Sequence, residues 1–192
     1  MTLSNLETYL LPRMSAVDLV EDVAARHSLS LAYLRRVASE LAAAYNLDDP
    51  IHSAMGYLQL APDVPISTVV VGAEHGPRFA GSTRFVFQLP TWPHVHFQVH
   101  QHPTGFTWGR GFRGSVDARS LEPGAVRPWD WTASVLLENS TSHHVVDEWT
   151  EYRILRLKFG QEIYEGVFDM DLLQRWSVIS DPSGRCSERV PG

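Results

Sequence analysis

The stretch that decides the fold is Trp92-Pro93-His94-Val95-His96-Phe97-Gln98-Val99-His100-Gln101-His102-Pro103-Thr104-Gly105. Four of the chain's nine histidines fall there on alternate positions. Successive side chains of a β-strand point to opposite faces, so one face would consist of His94, His96, Gln98, His100 and His102. The pattern predicts a strand with an imidazole face, which is either the exposed side of an edge strand or the wall of a metal site inside a β-barrel.

The composition is typical of a soluble globular protein with one well-packed domain. The chain has 192 residues, of which 44% are hydrophobic, and no apolar run approaches the roughly 18 residues of a membrane span. The net charge of −6 argues against a nucleic acid or an anionic membrane as partner. A single cysteine, Cys186, and a start without a secretory pattern predict a cytoplasmic protein without disulfides.

Residues 1–50 are predicted to be a helical segment packed on a β-barrel domain of residues 51–180, with residues 181–192 as a disordered tail. Within residues 14–46 the apolar positions recur at three and four residues, which predicts two helices. Their joint, residues 23–34, resembles the helix-turn-helix of AraC-type regulators. Residues 1–50 contain seven acidic side chains against four arginines, which favours a plain helical hairpin over a DNA-binding unit.

From Pro65 onward the patterns are those of β-strands. Alternation or β-branched runs predict strands in residues 66–71, 84–89, 106–117, 132–138 and 152–159, with a further strand beginning at His143 and a short helix or strand at 169–177. If residues 84–89 and the histidine strand form a hairpin with a loop of even length, Phe87 opposes His96. The imidazoles would then share a face with apolar side chains, as inside a barrel, whereas an odd loop reverses the faces.

Two histidine pairs on this strand have the spacing of metal ligands. An HxH pair places two imidazoles about 6 to 7 Å apart at the backbone, close enough to share one ion. The pairs are His94/His96 and His100/His102, and together they span roughly 26 Å, so all four cannot bind a single ion.

The residues around the second pair resemble the cupin superfamily. The first cupin motif has an HxH pair followed by a glycine, as at His100, His102 and Gly105, and the second has a Pro-Gly turn, here Pro123-Gly124, and a third histidine before a valine. The resemblance covers residues 82–160 and implies a mainly β fold, a jelly-roll barrel preceded by the helical hairpin. It implies a divalent-metal site whose ligands are His100, His102 and His143, with His94, His96 and His144 as the alternatives.

The first cupin motif usually continues with a glutamate, where this chain has Phe106 and Thr107. Its absence resembles the all-histidine site of thiol dioxygenases, and three imidazoles with open positions favour Fe(II) over Zn(II), Ni(II) or Mn(II). The Ser-x-His-x-Tyr motif of that family is missing around Tyr152, so the substrate is left as a small organic molecule. We expect Tyr152, or alternatively Tyr164, as a proton donor and Arg84 as the partner of an anionic substrate, with Arg78 and Arg110 as further candidates for that arginine.

The sequence therefore predicts a cupin-type, metal-dependent oxygenase. Two alternatives stay open: a metal-independent barrel isomerase or cyclase that uses histidine as acid and base, and a ligand-sensing regulator whose residues 14–46 bind DNA. The expected partner is a small-molecule substrate, not a membrane and not a nucleic acid, and an exposed edge strand could pair two copies as a homodimer.

Overall fold

The strands form two separate four-stranded antiparallel sheets. The computed structural model describes residues 2–49, 53–72, 80–114, 121–149 and 151–179. The first sheet has the order β1-β2-β3-β4, with the strands Ile66–Val70, Thr83–Phe87, Val95–Gln101 and Thr107–Gly114. The second has the order β5-β6-β7-β8, with the strands Ser142–Glu148, Tyr152–Phe159, Glu162–Asp169 and Leu172–Val178.

The predicted β-rich chain with N-terminal helices is confirmed, but the predicted closed barrel is wrong. Each sheet is a meander in which spatial order follows chain order, and within the described residues the first and last strands of a sheet do not pair. Helices pack against the apolar face of each sheet, so these faces are buried without closure of a barrel. The architecture is mixed α/β with two open sheets.

Five α-helices accompany the sheets in the described residues: α1 Asn5–Leu10, α2 Val17–Arg26, α3 Leu31–Ala44, α4 Ser53–Leu60 and α5 Ala133–Asn139. The predicted hairpin corresponds to α2 and α3. In α3 the buried residues Leu34, Ala38 and Ala42 recur every four positions, so they lie on one side of the helix. The hydroxyl of Ser30 caps this helix by accepting the backbone N–H of Tyr33.

Helix α4 packs on the inner face of the first sheet, and helices α1 to α3 belong to the same buried cluster. Phe97 of β3 is fully buried, and its ring centroid lies 5.5 Å from that of Tyr57 in α4 and 5.4 Å from that of Phe112 in β4. Trp92 packs edge-on against Phe112 at 5.1 Å. Each such aromatic side chain contributes about 2 kcal/mol by burial, so this core fixes which face of β3 is turned inward.

The register of β2 and β3 is the one that an odd-length loop produces, not the one in which Phe87 would oppose His96. Phe87 pairs with Phe97 and Arg84 with His100, because residues 88–96 between the first pair are odd in number. The imidazoles therefore share their face with Arg84 and Val86, and the phenylalanines of β2 face the helices with Phe97. An imidazole face turned into an apolar interior, the condition for a buried metal site, is not formed.

The second sheet is covered on one face by α5. Leu155, Leu157 and Phe168 of the sheet are buried with Ala133 and Leu136 of α5. The prediction of a strand at residues 132–138 is wrong, because Ala133 and Leu136 are three positions apart: a helix puts both on one side, whereas a strand would separate them. No helix of the described residues is both long and apolar enough to cross a membrane.

The two-residue turn between β7 and β8 joins the two sheets. Met170 and Asp171 both have left-handed backbone conformations, with φ of 47° and 68°. The carbonyl of Met170 accepts the N–H of Phe112 in the first sheet at 2.7 Å, and the N–H of Met170 donates to the carbonyl of Glu151, which directly precedes β6 of the second sheet. Asp171 forms an ion pair with Arg113 of β4 and lies 3.4 Å from Arg153 of β6.

Candidate functional site

The histidine strand presents polar side chains on the side of the first sheet opposite the N-terminal helices. Arg84 of β2 lies across from His100, and Arg113 of β4 lies across from His96. Between the two histidines on the same face is Gln98. We call this set the polar face: Arg84, His96, Gln98, His100 and Arg113.

Two glycines of β4 lie on the polar face beside β3. Gly109 is opposite His100 and Gly111 is opposite Gln98. A Cβ atom at Gly109 would have no described atom within 4 Å, whereas one at Gly111 would lie 2.9 Å from the carbonyl oxygen of Met170. The β7–β8 turn therefore fills the space beside Gln98, and an open space is left beside His100, which we call the Gly109 notch.

Three buried polar atoms on this side of the sheet have no hydrogen-bond partner among the described residues. They are the side-chain amide oxygen Oε1 of Gln98, Nε of Arg84 and the hydroxyl of Ser82, which precedes β2. Gln98 is only 7% exposed. A buried polar group without a partner costs about 1 to 3 kcal/mol, and nearly all such groups in folded proteins are paired. Two of these atoms belong to Arg84 and Gln98, the cross-strand neighbour of His100 on β2 and its same-face neighbour on β3.

Both histidines of the polar face are held in the neutral form. Burial, with the nearby charges of Arg113 and Arg84, lowers the pKa of His100 to about 4. Burial and Arg84 also lower the pKa of His96. At neutral pH the polar face therefore combines uncharged imidazoles, which can accept a proton, with two guanidinium groups, of which Arg113 is ion-paired to Asp171.

The histidine pair expected to bind a metal is divided by a β-bulge. The pairing of β3 with β4 shifts register between His100 and Gln101, and β3 ends there. His102 lies in the following turn, where its Nδ1 is 2.9 Å from the hydroxyl of Thr104. Alternation along a regular strand would have kept His102 beside His100, and the bulge removes that alignment.

The third expected ligand lies on the other sheet. His143 and His144 are exposed on β5, the edge strand of the second sheet, and His94 is exposed before β3. Across the part of the chain that the structure describes, no three His, Cys, Asp or Glu side chains are grouped so that they could hold a metal ion. The structure therefore does not bring His100, His102 and His143 together as a three-histidine centre.

The other expected residues do not lie together: Arg84 and Arg110 are on opposite faces of the first sheet, and Tyr152 is on the second sheet. Arg84 belongs to the polar face, opposite His100. Tyr152 lies on β6 and lines a separate cavity of about 540 Å³ together with Ser15, Val17, Val167 and Arg175. Arg110 points to the helix side, where it contacts Tyr57 and Glu151. Arg78 and the tail at residues 181–192 lie outside the described residues.

The sequence does not single out Gln98 of β3 or the two glycines of β4. Gln98 lies in the middle of the alternating strand but is neither a typical metal ligand nor a titratable group. Gly109 and Gly111 are two positions apart, which places both on one face of a strand. The spacing of the two glycines shows that they share a face, but only the pairing of β4 with β3 shows that this face adjoins Gln98 and His100.

The helical hairpin has a balanced exposed surface. On α2 and α3 the exposed charged residues are Asp18, Glu21, Asp22 and Glu40 against Arg26, Arg35 and Arg36. Arg36 is engaged with Glu40 at 2.7 Å. A surface with no excess of positive charge does not favour DNA as its partner.

Burial of neutral His100 predicts a loss of stability in acid. An unfolded histidine takes up a proton near pH 6.5, whereas His100 in the folded chain does so near pH 4, so stability falls as the pH decreases between these values. After allowance for partial solvent screening we expect His100→Gln to reduce this loss by about 1 kcal/mol. Urea unfolding at pH 7.5 and at pH 4.5 measures it, with His144→Gln on exposed β5 as the control. Equal acid sensitivity of wild type and His100→Gln would contradict the burial.

Comparison of the chain with family models, with curated proteins and with solved structures finds no match in any of the three.

Proposed function

We propose that the protein binds a small anionic molecule in the Gly109 notch and that His100 acts on it as a general base, without a metal. The proposal is carried by three features that adjoin on the polar face. The Gly109 notch is open beside the neutral imidazole of His100, and the neighbouring side chains of Arg84 and Gln98 each have a buried polar atom without a partner among the described residues. It corresponds to the acid–base alternative that the sequence leaves open, placed on an open sheet instead of in a barrel.

Two residues of the polar face carry this chemistry, Arg84 and His100. Arg84 would bind the negative charge of the ligand, since a guanidinium matches a carboxylate with two parallel hydrogen bonds. Neutral His100 would accept a proton from the bound molecule and return it to another atom of the same molecule. Such an isomerisation is balanced without an oxidant or a second substrate. The bound anion would stabilise the imidazolium that forms between the two proton transfers.

Filling the notch is the direct test of binding. In Gly109→Leu the new side chain would occupy the space beside His100, and no described atom stands within 4 Å of its Cβ to disturb the fold. We expect acetate and propionate, titrated at millimolar concentration, to shift the amide NMR signals of β3 and β4 in the wild type and not in Gly109→Leu.

Gly124→Leu is the matched control. A Cβ at Gly124 also has open space among the described residues, but Gly124 lies in the short 3-10 helix Pro123–Ala125 and not on the polar face. It should bind like the wild type. Absence of saturable shifts in the folded wild type would overturn the proposal, and so would equal binding by Gly109→Leu.

Metal analysis separates this proposal from the oxygenase that the sequence predicted. The purified protein is expected to bind anions equally well before and after treatment with a chelator. A stoichiometric metal that is lost in both His100→Ala and His102→Ala would contradict a metal-independent site and support the metal-dependent alternative.

A further inference from the structure

We infer that the ligand is a small carboxylate with a hydroxyl or amino group on a carbon close to the carboxylate. The inference rests on the proposed function and adds the substrate class. It follows from the two unpaired side-chain atoms next to His100. Nε of Arg84 is a hydrogen-bond donor, whereas the amide oxygen Oε1 of Gln98 is an acceptor.

The arginine requires an acceptor with negative charge. Arg84 lies directly opposite His100, and its buried Nε has no acceptor among the described residues. Its charge is not matched by a carboxylate in the ion pairs of the described residues, in contrast to Arg113, which is bound to Asp171. A ligand carboxylate would supply both the missing acceptor and the missing charge.

The glutamine requires a donor. The side-chain amide oxygen of Gln98 cannot hydrogen-bond to a carboxylate or to any other group that only accepts, so a simple aliphatic carboxylate would leave this oxygen unpaired. A hydroxyl or amino group on the ligand would satisfy it. Because Gln98 is 7% exposed, water cannot freely replace such a donor.

The sheet geometry sets the distance between the two ligand groups. Gln98 pairs with Val86, two residues from Arg84 on β2, so Arg84 and Gln98 are diagonal neighbours on one face. Diagonal neighbours are about 7 to 8 Å apart at the backbone, and the arginine and glutamine side chains extend over much of that distance. One small ligand could therefore reach both polar atoms if its carboxylate and its donor group lie close together, with the body of the ligand beside His100.

Lactate and propionate form a matched pair of probes, since they differ only in the hydroxyl group next to the carboxylate. For the wild-type protein we expect lactate to bind about tenfold more tightly than propionate by NMR titration, the effect of one satisfied buried hydrogen bond. In Gln98→Met, which keeps the length of the side chain without the amide, the two affinities should become equal through a loss in lactate binding.

The outcomes separate this inference from the proposed function. If lactate and propionate bind the wild type equally at the polar face, the hydroxy- or amino-carboxylate is wrong and anion binding stands. If inorganic phosphate binds more tightly than lactate, the substrate class is also wrong. If no carboxylate binds, both proposals fail. The wild-type comparison decides even where Gln98→Met does not fold.

Discussion

Arg110→Met is expected to lower the free energy of unfolding by about 3 kcal/mol. The guanidinium of Arg110 is partly buried on the helix side of β4, where it bonds to the carboxylate of Glu151, to the carbonyl of Leu47 at 3.1 Å and to the hydroxyl of Tyr57 at 2.8 Å. It thereby joins the first sheet, helix α4, the segment after α3 and the β5–β6 connection. Its loss would leave several partly buried polar groups without their donor.

The hydroxyl of Tyr57 increases this effect. Burial raises the pKa of Tyr57, so the phenol stays protonated, donates to the hydroxyl of Tyr9 and accepts from Arg110. Methionine preserves most of the apolar stem of arginine, so the expected loss comes from the unpaired polar groups and not from a cavity.

Urea unfolding measures the change, with Arg36→Met as the control. Arg36 also has a carboxylate partner, Glu40, but both side chains are about 60% exposed and lie one helical turn apart. We expect Arg36→Met to cost less than about 0.5 kcal/mol. A comparable cost in the two variants would show that the Arg110 network does not hold these elements together.

Gly56→Ala is the second large effect, a loss of about 2 to 3 kcal/mol despite the better helix propensity of alanine. Gly56 lies in α4 where the helix approaches the end of α3. A Cβ atom there would be 2.2 Å from the carbonyl oxygen of Tyr45 and 2.8 Å from the Cδ2 atom of Leu47. The first contact is with backbone, so it cannot be relieved by a rotation of a side chain, and α4 would have to move away.

Thermal unfolding checks this prediction. A loss of 2 to 3 kcal/mol corresponds to a decrease in Tm of about 4 to 12 °C for a chain of this size. Gly109→Ala is the control, because its Cβ has open space among the described residues and should leave Tm nearly unchanged. An unchanged Tm for Gly56→Ala would mean that α4 does not pack closely on Tyr45.

The sequence predicted the elements better than their partners. Local periodicity is a property of neighbouring residues, so the spacing of Leu34, Ala38 and Leu41 predicted α3, and the alternation in residues 152–159 predicted β6 with its observed limits. Alternation does not specify which strand pairs with which, and eight strands can be joined as one barrel or as two meanders. Helix coverage of each sheet decided this, and it depends on contacts between distant parts of the chain.

The candidate site shows the same division. The shared face of His96 and His100 followed from the alternation alone. The residues that face them across β2 depend on whether the connection between the two strands is odd or even in length. The position of His102 depends on a bulge against β4, which the sequence of β3 alone does not indicate. Gly109 and Gln98 gained their importance only from cross-strand pairing, which no local pattern encodes.

The left-handed turn at Met170 and Asp171 has a consequence for cooperativity. Two consecutive non-glycine residues in this conformation are unfavourable by about 1 kcal/mol or more each, so the turn persists only while its contacts hold it. Those contacts come from Phe112 and Arg113 on one sheet and from Glu151 and Arg153 on the other. Opening of either sheet would release the turn and withdraw support from the other, so we expect the two sheets to unfold in one transition.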